Sequence, residues 1–212
     1  MTYSKWTRNS VFGLITIIGF SCCKNDTYTE DSPVPNDSIS LEEISDSSVE
    51  EGEFKKTLRS NGIAVDISSQ GEEDLKSLKL SFMTEGSDNG SEKGIKYDGI
   101  IQDAVTADLN KDGKMEIYVF NQSAGSGSYG QLFAYQMNGS RLDSISMQDL
   151  PEELSLKYLG HDSFAVDKDH LLRFFPLYNE MDANCCPTGG TKKIKYKLEK
   201  KSTGLKLIIN DN

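Results

Sequence analysis

From residue 54 onward, apolar and polar side chains alternate with a period close to two. In KIKYKLE, residues 193–199, Ile194, Tyr196 and Leu198 alternate with Lys193, Lys195 and Lys197. Successive strand side chains point to opposite faces, so this segment turns an apolar face to a core and its lysines to water. GLKLIIN (204–210) repeats the pattern with Leu205, Leu207 and Ile209. Further strands are predicted at GIAVDIS (62–68), LKSLKLSFM (75–83), IIQDAVTADL (100–109), MEIYVFN (115–121), QLFAYQM (131–137), DSFAVD (162–167) and HLLRFFPL (170–177). Their connectors carry the Gly, Asn, Asp or Pro that turns require. Only PEELSL, after Leu150, predicts a helical turn. The expectation is an all-β fold, a compact antiparallel β-sandwich or barrel of about eight or nine short strands, each sheet hiding one face and wetting the other. No propeller or solenoid repeat is visible.

The first residues do not fit that pattern. Lys5 and Arg8 precede VFGLITIIGF, an apolar run from Val11 to Phe20 that is about half the length of a bilayer-spanning helix. Residues 1–21 therefore read as an export signal, with an uncleaved membrane anchor as the alternative. Ser21 followed by Cys22 resembles a lipobox in which Cys22 is acylated and becomes the first mature residue. Either reading puts the rest of the chain outside the cytoplasm, and the lipoprotein reading places it at the outer membrane, periplasmic or surface-exposed.

Residues 22–53 read as a disordered acidic tether, because a stretch rich in Asp, Glu, Ser and Thr with few large apolar side chains cannot bury enough surface to order itself. From Lys24 to Glu53 ten acidic residues face Lys24 alone. That segment accounts for −9 of the chain's formal −10, the signal contributes +2, and the domain at 54–212 is left with only −3. The acidity thus belongs mostly to the tether, and nothing in it favours nucleic acid.

Three local patterns carry candidate chemistry. In DLNKDGKME, Asp108, Asn110 and Asp112 offer oxygens at alternate positions and Gly113 permits a sharp bend, as in the first half of a calcium loop. Val119 stands where that loop needs a bidentate Glu, and a plain Asx-rich turn explains the same residues. Ser126, His161 and Asp162 can be drawn as a hydrolytic triad, but a serine among glycines is not a strained nucleophile turn, and His161 reads better as a turn brace. Cys185 and Cys186 have no Cys-x-x-Cys partner for zinc. Two free thiols and a vicinal bridge both remain open, the latter strained because the residues are adjacent.

Between two predicted strands lies NQSAGSGSYGQ (121–131), with one aromatic ring, Tyr129, among glycines and serines. Taken in order, FKKTLRSNGIAVDIS, TADLNKDGKMEIYVF, SAGSGSYGQLFAY, YLGHDSFAV, LLRFFPLYNEMDAN and PTGGTKKIKYKL resemble the periplasmic inhibitors of I-type (invertebrate) lysozymes, the PliI family. The resemblance spans Phe54 to Leu198. It implies a non-enzymatic β-sandwich whose Ser-Gly-x-Tyr loop, here Ser126, Gly127, Ser128 and Tyr129, enters the lysozyme cleft. It also implies a second loop nearby at PTGGT, with Thr188, Gly189 and Gly190. The partners implied are an I-type or related lysozyme and, through the lipid, a membrane; pairing of the chain with itself stays open. The vicinal cysteines and the acidic tether are additions to the family pattern. The rival reading is a cell-surface lipoprotein that binds glycans or proteins with the help of calcium.

Overall fold

The computed structural model of the chain describes residues 53–71, 76–84 and 90–210. The export signal at 1–21, the lipidation site Cys22 and the tether as far as residue 52 lie outside the described residues.

Strands β1 (Lys55–Ser60), β2 (Ile63–Gln70), β3 (Lys76–Thr84) and β4 (Ser91–Tyr97) form a four-stranded antiparallel sheet in sequential order. The next eight strands are β5 (Ile100–Ala107), β6 (Glu116–Gln122), β7 (Gly130–Asn138), β8 (Arg141–Met147), β9 (Ser163–Asp167), β10 (His170–Pro176), β11 (Thr191–Lys201) and β12 (Gly204–Ile209). They make one barrel-like sheet in the order β5-β6-β7-β8-β12-β11-β10-β9. A single helical turn, α1 (Glu152–Ser155), stands where PEELSL predicts it.

All nine predicted strands form, and the described residues hold twelve. The additional three are β1, β4 and β8. One pairing is parallel, β8 with β12, where Leu205 lies opposite Ile145 and Leu207 opposite Met147. It departs from the expected antiparallel arrangement because the chain leaves β8 through α1 and returns to that edge only at its C-terminal strand.

Two cores explain the layering. Leu58, Val65, Ile67, Leu78, Leu80, Phe82 and Tyr97 of the small sheet pack on Ile101, Ala104, Ile117, Val119, Tyr135 and Met137 of the large one. Inside the curl of the large sheet, Tyr118 and Phe120 meet Leu171, Phe175, Ile194, Tyr196, Leu198 and Leu207. Strand β6 therefore sends Ile117 and Val119 into one core and Tyr118 and Phe120 into the other. Every residue of MEIYVFN is buried, so for this strand the expectation of one wet face fails, and a continuous apolar run is what two-sided burial selects.

Candidate functional site

The β6–β7 connection carries the Ser-Gly-Ser-Tyr stretch, and hydrogen bonds fix it closely. Ser128 adopts a left-handed φ of 42° and its amide donates to Gly125 O at 3.1 Å, closing a turn. At the base, the Ser123 amide donates to Tyr129 O at 2.9 Å, and the Tyr129 amide donates to Ser123 Oγ at 3.0 Å. A loop rich in glycine is thereby held in one shape by its own backbone bonds.

Two other loops hold it from the sides. After α1 the chain runs along the loop, and the His161 amide donates to Gly127 O at 2.8 Å and Ser128 O at 3.2 Å. These bonds come from the His161 main chain, where φ is 58°, and not from its ring. From the β10–β11 loop, Asn184 Nδ2 donates to Ser126 O at 3.0 Å. That loop is itself joined to the segment after α1 by the Tyr178 amide, which donates to Lys157 O at 3.0 Å.

Glycine is required at these contacts for space. A Cβ on Gly160, where φ is 94°, would lie 2.0 Å from Gly127 O, and one on Gly130 would lie 2.4 Å from Asp162 Cβ. A Cβ on Gly127 would meet Tyr129 Cε2 at 2.4 Å, so the ring rests directly on that glycine. Tyr129 also meets Tyr158 edge to face, with centroids 5.5 Å apart, and remains 43% exposed. The ring is braced from beneath with its outer side in solvent. Edge-to-face pairs of this kind contribute roughly 0.5–1.5 kcal/mol beyond the area they bury.

Beneath the loop lies a buried ionic cluster. Asp162 Oδ1 accepts from Arg173 Nε at 2.6 Å; Oδ2 accepts from the Gly130 amide at 2.8 Å and from the Tyr158 hydroxyl. The two side chains are 0% and 7% exposed. The Arg173 guanidinium also lies over the rings of Tyr158, Phe164 and Phe175. Burial opposes its charge, but the Asp162 carboxylate more than offsets this and holds its pKa above the ordinary arginine value. Burial first, and then the bond to Asp162, push the Tyr158 phenol far above the usual tyrosine range, so it stays a donor. Asp162 is therefore committed to positioning the loop, and its oxygens face Arg173, Tyr158 and Gly130 rather than a triad histidine.

The PTGGT residues shape the neighbouring loop. The Thr188 amide and hydroxyl donate to Asp182 at 2.8 and 2.7 Å, and the Gly189 amide donates to Leu177 O at 2.9 Å. The Leu177 amide in turn donates to Gly190 O at 2.8 Å. Exposed apolar side chains sit on these same connections, namely Leu156, Leu159 and the 94%-exposed Met181. Tyr158, Gly160, Arg173 and Asn184 were not among the residues singled out from sequence. Only Arg173, a charge inside the apolar run LLRFFP, carries a local signal that a buried partner is needed.

Asp108, Asn110 and Asp112 lie apart from this cluster, in the β5–β6 connection. Asp108 accepts from the amides of Asp112 and Gly113 at 3.0 and 2.9 Å, Asn110 Oδ1 from that of Asp112 at 3.0 Å, and Asp112 Oδ1 from that of Lys114 at 3.0 Å. These bonds are those of an Asx-rich turn. Among the described residues no group of three or more His, Cys, Asp or Glu is gathered as a metal site.

Fold and site together define a β-domain with a braced tyrosine turned toward solvent. The sequence model of a family, described as periplasmic lysozyme inhibitor of I-type lysozyme, matches residues 91–154. The match contains the whole Ser126–Tyr129 loop, whereas Asp162, Arg173 and the β10–β11 loop lie beyond it. No curated protein matches the chain.

Proposed function

We propose that this protein is a periplasmic lysozyme inhibitor that binds an I-type lysozyme and blocks its cleft with Ser126, Gly127, Ser128 and Tyr129. The family match to residues 91–154 supports the inhibitor class. The observation that carries the mechanism is the Tyr129 ring, 43% exposed on a loop whose backbone is already fixed from three sides. Such a ring brings flat apolar area and a phenol tip with little ordering entropy left to lose on binding.

Lysozymes use carboxyl groups in a groove shaped for a polysaccharide, so an inhibitor needs a narrow projection bearing hydroxyl donors. Ser126 is exposed and tethered through its carbonyl, which leaves its hydroxyl to donate to a cleft carboxylate. A bond of that type contributes about 1.5–3 kcal/mol. Thr188, Gly189 and Gly190 form the flanking contact. Acylation of Cys22, with the acidic tether, would hold the inhibitor at the outer membrane, where it protects peptidoglycan.

The test is inhibition of invertebrate-type, chicken-type and goose-type lysozymes by the full chain, beside Ser126→Ala and Tyr129→Ala. The invertebrate-type enzyme should be inhibited, with the double variant weaker by tens- to thousands-fold and its melting temperature little changed. A wild-type chain that neither binds nor inhibits any of the three ends the proposal.

A further inference from the structure

The two cysteines of the β10–β11 loop are the free cysteines among the described residues, and both are exposed. Their Sγ atoms face each other at 2.6 Å. The surrounding loop is pinned: the Cys186 amide donates to Ala183 O at 2.9 Å, and Asp182 holds Thr188 by backbone and side chain. Asn184, next to Cys185, accepts from the Tyr178 hydroxyl at 2.9 Å through its carbonyl and holds Ser126 O through its side chain. The thiol pair is thus one residue from the contact that ties this loop to the Ser-Gly-Ser-Tyr loop.

We propose that Cys185 and Cys186 are a thiol–disulfide modification site, closed by exchange with an external organic disulfide, and that closure stiffens the Asn184 hold on Ser126. The Cys185 thiolate attacks one sulfur of the external disulfide; a mixed disulfide forms and one thiolate leaves. The Cys186 thiolate then attacks Cys185 Sγ, the ring closes and the second thiolate leaves. The protein gives up two electrons and two protons, and the external disulfide becomes two thiols. The hydrogen bond shared with Cys185 pushes the Cys186 thiol up from its ordinary value, and with the two sulfurs in contact either can resolve the mixed disulfide formed on the other. Adjacent Cα atoms are about 3.8 Å apart, short of the roughly 4.4–6.8 Å that ordinary bridges span. The bridge is therefore of the labile, reversible class rather than a permanent staple.

The full chain is equilibrated in oxidised and reduced glutathione at stepped ratios, quenched with acid, alkylated and digested with trypsin. Peptide 174–192 contains Cys185 and Cys186 and neither Cys22 nor Cys23. It should convert from a doubly alkylated form to an unalkylated one that is two hydrogens lighter than the free dithiol peptide. A peptide that stays doubly alkylated, or stops as a glutathione adduct, overturns the site. Amide exchange at residues 123–129 should slow several-fold on oxidation and become insensitive to redox buffer in C185S/C186S. Equal exchange in both states of the wild-type chain overturns the coupling.

Only the bearing on lysozyme rests on the function proposed above, where the oxidised chain should inhibit a few-fold more tightly. A chain that closes the ring and stiffens the loop yet inhibits no lysozyme refutes that function and leaves the switch standing. A chain that inhibits equally in both states, with the loop unchanged, does the reverse.

Discussion

Replacing Asp162 by Ala removes the carboxylate that receives Arg173, Tyr158 and the Gly130 amide together. The guanidinium, 7% exposed, is left without its counter-charge. Breaking a buried pair in this way costs about 3–5 kcal/mol, which for a domain of this size lowers the melting temperature by roughly 6–20 °C. Arg173→Met is milder, about 1–3 kcal/mol, because Asp162 keeps two donors and the thioether chain still packs against Tyr158, Phe164 and Phe175. The double variant strands neither charge and should recover more than half of the loss of Asp162→Ala, a non-additivity expected of partners in contact. Urea unfolding at pH 7 measures this directly, with midpoints shifting at constant slope. If Asp162→Ala loses less than about 1 kcal/mol, or if the double variant is no better than that single one, the uncompensated-charge reasoning is wrong.

Gly127→Ala should leave the melting temperature within a few degrees, since the nearest atoms its Cβ would meet belong to the half-exposed Tyr129 ring, yet weaken lysozyme inhibition at least about tenfold by swinging that ring away. Gly160→Ala presses its Cβ on the Gly127 carbonyl at a positive φ and should destabilise by about 2 kcal/mol or more in the same urea assay. Burial, outweighing bonds from the Leu109 amide and the Tyr118 hydroxyl, raises the Glu116 pKa. The folded chain therefore holds that proton more tightly than the unfolded one: the stabilising contribution is complete below the unfolded value and is lost as pH rises through the folded value. Glu116→Gln should remove that slope, so the variant-minus-wild-type stability rises from acid toward neutral pH in parallel urea titrations; a flat difference contradicts it. Millimolar calcium or a chelator should leave the melting temperature unchanged, given the backbone amides bonded to Asp108, Asn110 and Asp112. A calcium-dependent rise would show those oxygens to be ligands.

Alternation made nine strands legible because each places several large side chains on one face. The three it missed offer weaker signals. KKTLRS buries one large side chain, Leu58. SEKGIKY has only Ile95 and Tyr97, and RLDSISM is broken by polar residues between Leu142, Ile145 and Met147. These become strands because neighbours supply a ladder, a tertiary effect that overrides weak local preference. The parallel β8–β12 pairing has no local signature at all. At the candidate site, glycine content and a solitary tyrosine marked the loop, while its supports come from residues 158–162, 173 and 184, whose proximity the chain order conceals. That Asp162 neutralises Arg173 was not readable from the local sequence.

Strand β6 is a wall common to both cores, and this governs how the molecule can come apart. Melting either half would strip one face of this strand to water, so unfolding should be cooperative across both cores, with partly opened forms costly. Tyr129 stands just past the end of that wall and inherits its persistence.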